Sequence, residues 1–191
     1  VAEGVGVGVA VAVGVAVGAG AGTLIGHKMD KAKKAAEVAN AQAEILTDQN
    51  GMQYVKATFA SGLLFQTGKS TLSASAVNDI NTFVNNLKAE DTTYELAVCG
   101  YTDNQGWKNS TAEQSKAKNQ ALSLQRAEAV QNQLVAGGYA SDRIIYVKGL
   151  GEERPVASNA TAEGQEQNRR VEVYILPSKD MIEAANKAAA K

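Results

Sequence analysis

All ten aromatic residues of this 191-residue chain lie at or after Tyr54, whereas eight of its 18 glycines fall between Gly4 and Gly26. Large side chains build a soluble core, so the folded domain must follow this opening stretch. Much of the 45% hydrophobic content is Val and Ala in the first 26 residues and overstates that core. The balance of 19 Lys+Arg against 20 Asp+Glu offers no basic surplus for phosphate contacts, so no nucleic-acid partner is expected. One cysteine rules out a disulfide scaffold. The length fits one ordinary domain with appendages.

Residues 4–26 carry no charge and are followed by His27, Lys28, Lys31, Lys33 and Lys34. A stretch of that length with a basic flank suits a helix crossing a membrane of about 30 Å hydrocarbon thickness. Gly14, Gly18, Gly22 and Gly26 repeat every four residues and would align small residues along one helical face, a glycine zipper that invites self-association into a homo-oligomer. The same letters support a second reading, because every odd position from Val5 to Val17 is Val and every even one Gly or Ala. That period of two fits a strand, and a disordered segment is the remaining alternative. The chain starts at Val1 without Met, so a targeting segment is expected to have been removed or to lie upstream.

Residues 27–53 read as a linker, mostly an Ala-rich helix ending near Asp48, Asn50 and Gly51. Met29, Ala32, Ala36, Ala39, Ala43 and Leu46 follow helical spacing, but a mostly Ala seam buries little area, which predicts a solvated spacer. Lone His27 has no ligand partner at metal spacing, so no metal site is expected.

Residues 54–177 carry the domain. Tyr54–Phe65 predicts one or two short strands broken at Ser61-Gly62, and Leu72, Ala76, Ile80, Phe83, Val84 and Leu87 recur as an amphipathic helix. A strand follows over Tyr94–Gly100, then a helix with Leu122, Ala127, Val130 and Leu134 inward, stopping at Gly137-Gly138. Strands at Ile144–Lys148 and around Val171, Val173 and Ile175 complete a βαβαβ…β order. That order predicts a two-layer α/β sandwich with helices on one sheet face. Residues 178–191 read as a short helical tail.

No catalytic set is apparent. The only His lies outside the domain, and Cys99 sits in an apolar strand, where a buried structural thiol is expected. Gly62–Ser70 imitates a phosphate loop, but five residues separate its glycines where the motif has four, and they begin with Leu63, Leu64 and Phe65. This stretch reads as a strand end leading to a helix cap near Ser70 or Thr71. Neither an enzyme nor a cofactor is expected.

Three polar clusters sit where strands and helices meet: Gly100-Tyr101-Thr102-Asp103-Asn104, Asn119 to Ala127, and Asn168-Arg169-Arg170-Val171-Glu172. Each has a plain structural account: a turn at Asp103, a helix cap at Asn119 or Ser123, a solvated Arg126, an edge-strand gatekeeper at Arg169-Arg170. Together with Gly149 to Pro155, and in this order, they resemble the OmpA C-terminal-like family of peptidoglycan-associating domains found in outer-membrane proteins, lipoproteins and flagellar stator subunits. The family's G-H-T-D stands here as Gly100 to Asp103, its N-x-x-L-S-x-x-R-A as Asn119 to Ala127, its G-x-G-E-x-x-P as Gly149 to Pro155, and its N-R-R-V-E as Asn168 to Glu172. The glycine-rich start is similar to Bacteroidota-type members.

The resemblance implies non-covalent binding of the peptidoglycan stem peptide at diaminopimelate, whose end carries an ammonium and a carboxylate on one carbon. Asp103 would take the ammonium and Arg126 the carboxylate through a bidentate fork. Thr102 and Asn119 would add neutral hydrogen bonds, and Arg169 a second positive charge. It also implies a location at the outer membrane with the domain facing the periplasm. Departures from the pattern are Tyr101 in place of His, Gln66 where Asp is common, and a long segment of 15 residues between Asp103 and Asn119 that contains Trp107. That insertion reads as a solvated excursion, with an added contact or lid as the alternatives. The expected role is a wall anchor. An assembly subunit joined through the glycine zipper is the alternative, and a peptidoglycan-acting enzyme the third; a proton-coupled stator is disfavoured by the lack of an acidic residue in the apolar stretch.

Overall fold

The computed structural model describes residues 15–191. Its elements are α1 (Ala21–Val38), β1 (Gln42–Thr47), β2 (Gln53–Ala60), α2 (Ser61–Leu64), α3 (Ala74–Glu90), β3 (Glu95–Tyr101), α4 (Ala112–Ala136), β4 (Ile144–Gly149), α5 (Ala162–Asn168), β5 (Arg170–Leu176) and α6 (Lys179–Ala189). The strands form one sheet in the order β1-β2-β5-β3-β4, with β3 and β4 parallel and the other neighbours antiparallel. The α/β sandwich expected for the domain is therefore present.

Alternation sorts the sheet residues onto two faces. Phe59, Leu96, Val98, Val171 and Val173 join the cluster formed with Ile80, Phe83 and Val84 of α3 and Val130 and Leu134 of α4. Phe59 meets Phe83 edge to face, with ring centroids 6.3 Å apart. The opposite face holds Tyr54, Cys99, Tyr101, Tyr174 and Leu176. Cys99 is fully buried there, and burial followed by the charge of Glu172 pushes its thiol up to about 12, consistent with a structural thiol.

Two expectations need correction, and a third is borne out with an added detail. First, residues 27–53 are not a solvated spacer. Ala21, Ile25, Met29, Ala32, Ala35 and Ala36 of α1 are buried, because small side chains let the helix lie close to its neighbours. Tyr94 Oη donates to the Lys28 carbonyl at 2.7 Å, and Lys28 pairs with Asp91 at 2.8 Å. The helix ends where Asn40 takes a left-handed φ of 63°, and the next residues form edge strand β1. Asp48 Oδ1 accepts the amides of Asn50 and Met52 at 2.8 Å, which turns β1 into β2. Second, of the row Gly14, Gly18, Gly22 and Gly26, the first lies outside the described residues, and Gly18 does not share the helix that holds Gly22 and Gly26. Residues 15–20 are non-helical, Gly20 has φ 82°, and α1 begins only at Ala21. Most of the alternating Val stretch lies outside the described residues, and no described helix is long and apolar enough to cross a membrane. Third, the tail is a helix as expected but a docked one: Met181, Ile182 and Ala185 of α6 are buried in the main core.

The cap of α3 is Ser73, whose Oγ accepts the Ala76 amide at 3.1 Å, not Ser70 or Thr71. The inserted segment starts α4 early. Thr111 caps it in a reciprocal pair with Gln114, so Asn119 and Ser123 lie inside the helix and not at its start.

Helix α4 lies against the ends of β3 and β4 at backbone distance. A Cβ on Gly100 would stand 2.1 Å from the Ser123 carbonyl oxygen, and one on Gly149 would stand 2.3 Å from the Leu124 nitrogen. By contrast, a Cβ on Gly22 of α1 would meet nothing within 4 Å. Gly100→Ala should lower unfolding stability by about 1–3 kcal/mol by overpacking. Gly22→Ala should raise it by about 0.5–1 kcal/mol through the unfolded chain's lost freedom. Urea denaturation midpoints check both signs.

Candidate ligand-binding site

Strands β3 and β5 are antiparallel neighbours with Tyr101 opposite Arg170, so the residues just after β3 and just before β5 meet at one end of the sheet. Asp103 follows β3, and Arg169 precedes β5. Asp103 Oδ2 accepts from Arg169 Nη1 at 2.5 Å, while Oδ1 accepts the Gln105 amide at 3.0 Å. Arg126 reaches the same place from α4, one turn beyond Ser123 and its contact with Gly100.

Arg126 is 4% exposed, its guanidinium carbon sits 5.2 Å from the Phe65 ring centroid, and its Nε donates to the Lys69 carbonyl at 3.0 Å. Among the described residues no carboxylate lies within ion-pair distance of it. Burial and then the charge of Arg169 lower its pKa, with Asp103 opposing them. The result is a buried cation beside a carboxylate that is committed to a different arginine. Such a site can take up an anionic group at Arg126. It can also offer the remaining lone pairs of Asp103 to a donor, since an ionised carboxylate has about four acceptor positions.

The other two expected residues are placed nearby and already engaged. Thr102 Oγ1 donates to the Asp103 carbonyl at 2.8 Å, and its amide donates to the Gly151 carbonyl at 2.8 Å, so it fixes the turn that presents Asp103. Asn119 accepts from Trp107 Nε1 at 2.7 Å and donates through Nδ2 to the Gln105 carbonyl at 3.1 Å. Of the five candidates, the structure brings Asp103, Arg126 and Arg169 together. Thr102 and Asn119 hold the surrounding loops. The expected solvated excursion is accordingly tied down around Trp107.

The third cluster divides by period two. Arg169 faces the site, whereas Arg170 lies on the opposite sheet face, where its Nε donates to Glu172 at 2.7 Å with both side chains 4% exposed. Its guanidinium stacks 3.8 Å from the Tyr101 ring centroid, and Tyr174 donates to the other Glu172 oxygen. Tyr101, in the place of His, therefore packs. The gatekeeper account fails because β5 lies between β2 and β3. Asn168, missed as a structural residue, accepts the amides of Val156 and Ala157 at 2.7 and 3.0 Å and holds the loop before α5. Lys69 and Phe65 were missed because a carbonyl contact and a ring face leave no signal in a sequence. Arg170 and Glu172 were readable as a pair, since two residues apart on a strand they share a face.

The OmpA family model matches residues 64–169, which include all five candidates. This chain belongs to the OmpA family. Motility protein B of Bacillus subtilis is 36% identical over 120 residues, covering 63% of this chain and 44% of that protein. The peptidoglycan-binding protein ArfA of Mycobacterium tuberculosis is 48% identical over 80 residues, covering 42% of this chain and 22% of that protein. The chain thus spans less than half the length of these curated relatives. A MotB-like protein from Desulfovibrio vulgaris shares the fold with a TM-score of 0.65 at 20% identity, covering 81% of this chain and 94% of that one. The OmpA family is non-enzymatic, in agreement with the expectation of a binding domain.

In this OmpA-family domain the Arg170–Glu172 and Arg169–Asp103 ion pairs differ in what supports them. Glu172→Ala strands a buried Arg170 and should cost about 3–5 kcal/mol. Asp103→Ala leaves an Arg169 whose side chain is 37% exposed, and should cost about 1 kcal/mol. Thermal and denaturant unfolding of the two variants measure the contrast.

Proposed function

We propose that this OmpA-family domain binds peptidoglycan through the diaminopimelate residue of the stem peptide and so anchors an envelope component to the cell wall. The observation that carries this reading is Arg126, a buried cation with no carboxylate partner among the described residues, next to Asp103. The free end of diaminopimelate bears a carboxylate and an ammonium on one carbon. Its carboxylate docks on the terminal nitrogens of Arg126, and its ammonium joins the acceptor sites of Asp103 that Gln105 and Arg169 leave open. Arg169 adds a second positive charge on the carboxylate side. Lysine, which lacks that carboxylate, leaves Arg126 unmatched, so the site discriminates against Lys-type walls by an unpaired charge.

The relative named as peptidoglycan-binding supports the ligand class, and the family match covers every residue invoked. The reading places the domain in the periplasm of a cell with an outer membrane. The glycine-zipper assembly reading loses its helical stripe, since Gly18 precedes α1.

Sedimentation of the full chain with purified diaminopimelate-type sacculi tests this. The wild type should be retained, and Asp103→Ala and Arg126→Ala should each weaken retention at least about tenfold, the scale of a lost charge-assisted hydrogen bond. Arg126→Lys should fall between, because a point charge does not reproduce the fork. Unchanged retention of both alanine variants overturns the site, and equal retention on Lys-type sacculi overturns the specificity.

A further inference from the structure

Trp107 is the only tryptophan in the chain and stands 37% exposed in the inserted segment. It is nonetheless held in place. Its amide donates to Ser115 Oγ at 2.9 Å, its indole Nε1 donates to Asn119 at 2.7 Å, and Lys118 Nζ lies 5.9 Å from the ring centroid. Bonds that do not involve the indole hold the segment as well. The Thr111–Gln114 cap, a Lys118–Ser110 bond at 2.8 Å and a Gln105–Gln165 bond at 2.7 Å also secure it. A large ring fixed along one edge and open to solvent is pre-organised to receive an apolar or C–H-rich surface.

Its position says which one. A continuous chain of hydrogen bonds runs from Asp103 through the Gln105 backbone to Asn119 and on to the indole. Asn119 precedes Arg126 by seven residues, two helical turns, or about 10 Å along α4. In the wall polymer, diaminopimelate is the third residue of a stem whose first residue is linked to a sugar. Two residues and their linkage span about 10 Å when extended. A stem gripped at Arg126 and Asp103 and running toward the start of α4 brings its sugar to Trp107.

We propose that Trp107 is a sugar-stacking platform, so that the domain recognises the glycan together with the stem peptide. This rests on the peptidoglycan reading above and extends it to the polymer's carbohydrate. The pyranose C–H face packs on the exposed indole ring, whose N–H stays on Asn119.

The test compares two defined ligands on the full chain: a diaminopimelate-containing stem peptide and the same peptide bearing its disaccharide. Calorimetry gives the affinities, and the fluorescence of the lone tryptophan reports contact. The wild type should bind the disaccharide-peptide about tenfold more tightly than the peptide, equivalent to about 1.4 kcal/mol. Only the sugar-bearing ligand should shift the emission strongly. In Trp107→Ala, and in Trp107→Gln, which retains an N–H donor for Asn119, the ratio of the two affinities should fall to about one. A merely structural tryptophan would alter both affinities together and leave their ratio unchanged. A ratio near one in the wild type, or one that persists in both variants, overturns the platform while leaving the stem-peptide site standing. Failure of the wild type to bind either ligand overturns the diaminopimelate reading itself, and the platform with it.

Discussion

The backbone contact between α4 and the ends of β3 and β4 is the constraint on which the rest of the site depends. Gly100 and Gly149 leave no room for a Cβ, so helix and strands meet backbone against backbone, and the Ser123 hydroxyl accepts the Gly151 amide at 2.9 Å. Arg126 follows one turn later and Asp103 three residues beyond Gly100. Each therefore inherits its position from elements that cannot slide past one another. The parallel pairing of β3 with β4 requires a crossover of the α4 kind, so the same helix that closes the fold also delivers the cation.

Charge burial distinguishes the two buried arginines by the partners each one has. The Arg170–Glu172 pair is enclosed on the sheet face away from the main helices and further satisfied by Tyr174 and by the carbonyls of Asn168 and Arg154. It is a closed network that specifies packing. Arg126 is as deeply buried but has one carbonyl bond and an aromatic face in place of a carboxylate. Burying a charge without a counter-ion is costly, and in the proposed reading the stem-peptide carboxylate supplies the missing partner. The contrast lies within one domain, between two arginines that are both buried.

Elements with strong periodicity were legible in the sequence. Ile80, Phe83, Val84 and Leu87 marked α3, and alternation marked β3 and β5, because large side chains report directly which face is buried. The misreadings at α1 and β1 share one cause. Alanine carries little hydrophobic signal, yet Ala32, Ala35 and Ala36 are buried because their smallness permits close packing. Continuing that helix across Asn40 then hid a strand whose identity depends on pairing with β2. The charged members of the site were legible as residue types in order. The Asp103–Arg169 pairing and the Trp107–Asn119 bond were not, since they come from strand register and from the path of an insertion.

The sheet also has a polarity that bears on anchoring. Ala60 of β2 pairs with Arg170, and Tyr101 pairs with Arg170 from the other side, so the site stands at that end of three strands. The described chain enters at the other end, where Val17 and Gly26 line a cleft with Thr47, Asn50, Gly51 and Gln53. Strand β2 has eight residues, which at about 3.3 Å each separate the two ends by roughly 26 Å. In the proposed wall-anchoring reading, a pull between a ligand at Arg126 and the chain before α1 would therefore run lengthwise along the central strands. Load in that direction shears many ladder hydrogen bonds of β2 and β5 together and does not peel them one at a time. The docking of α1, β1 and α6 onto the core extends that resistance to the point of entry, which a solvated spacer would not have done.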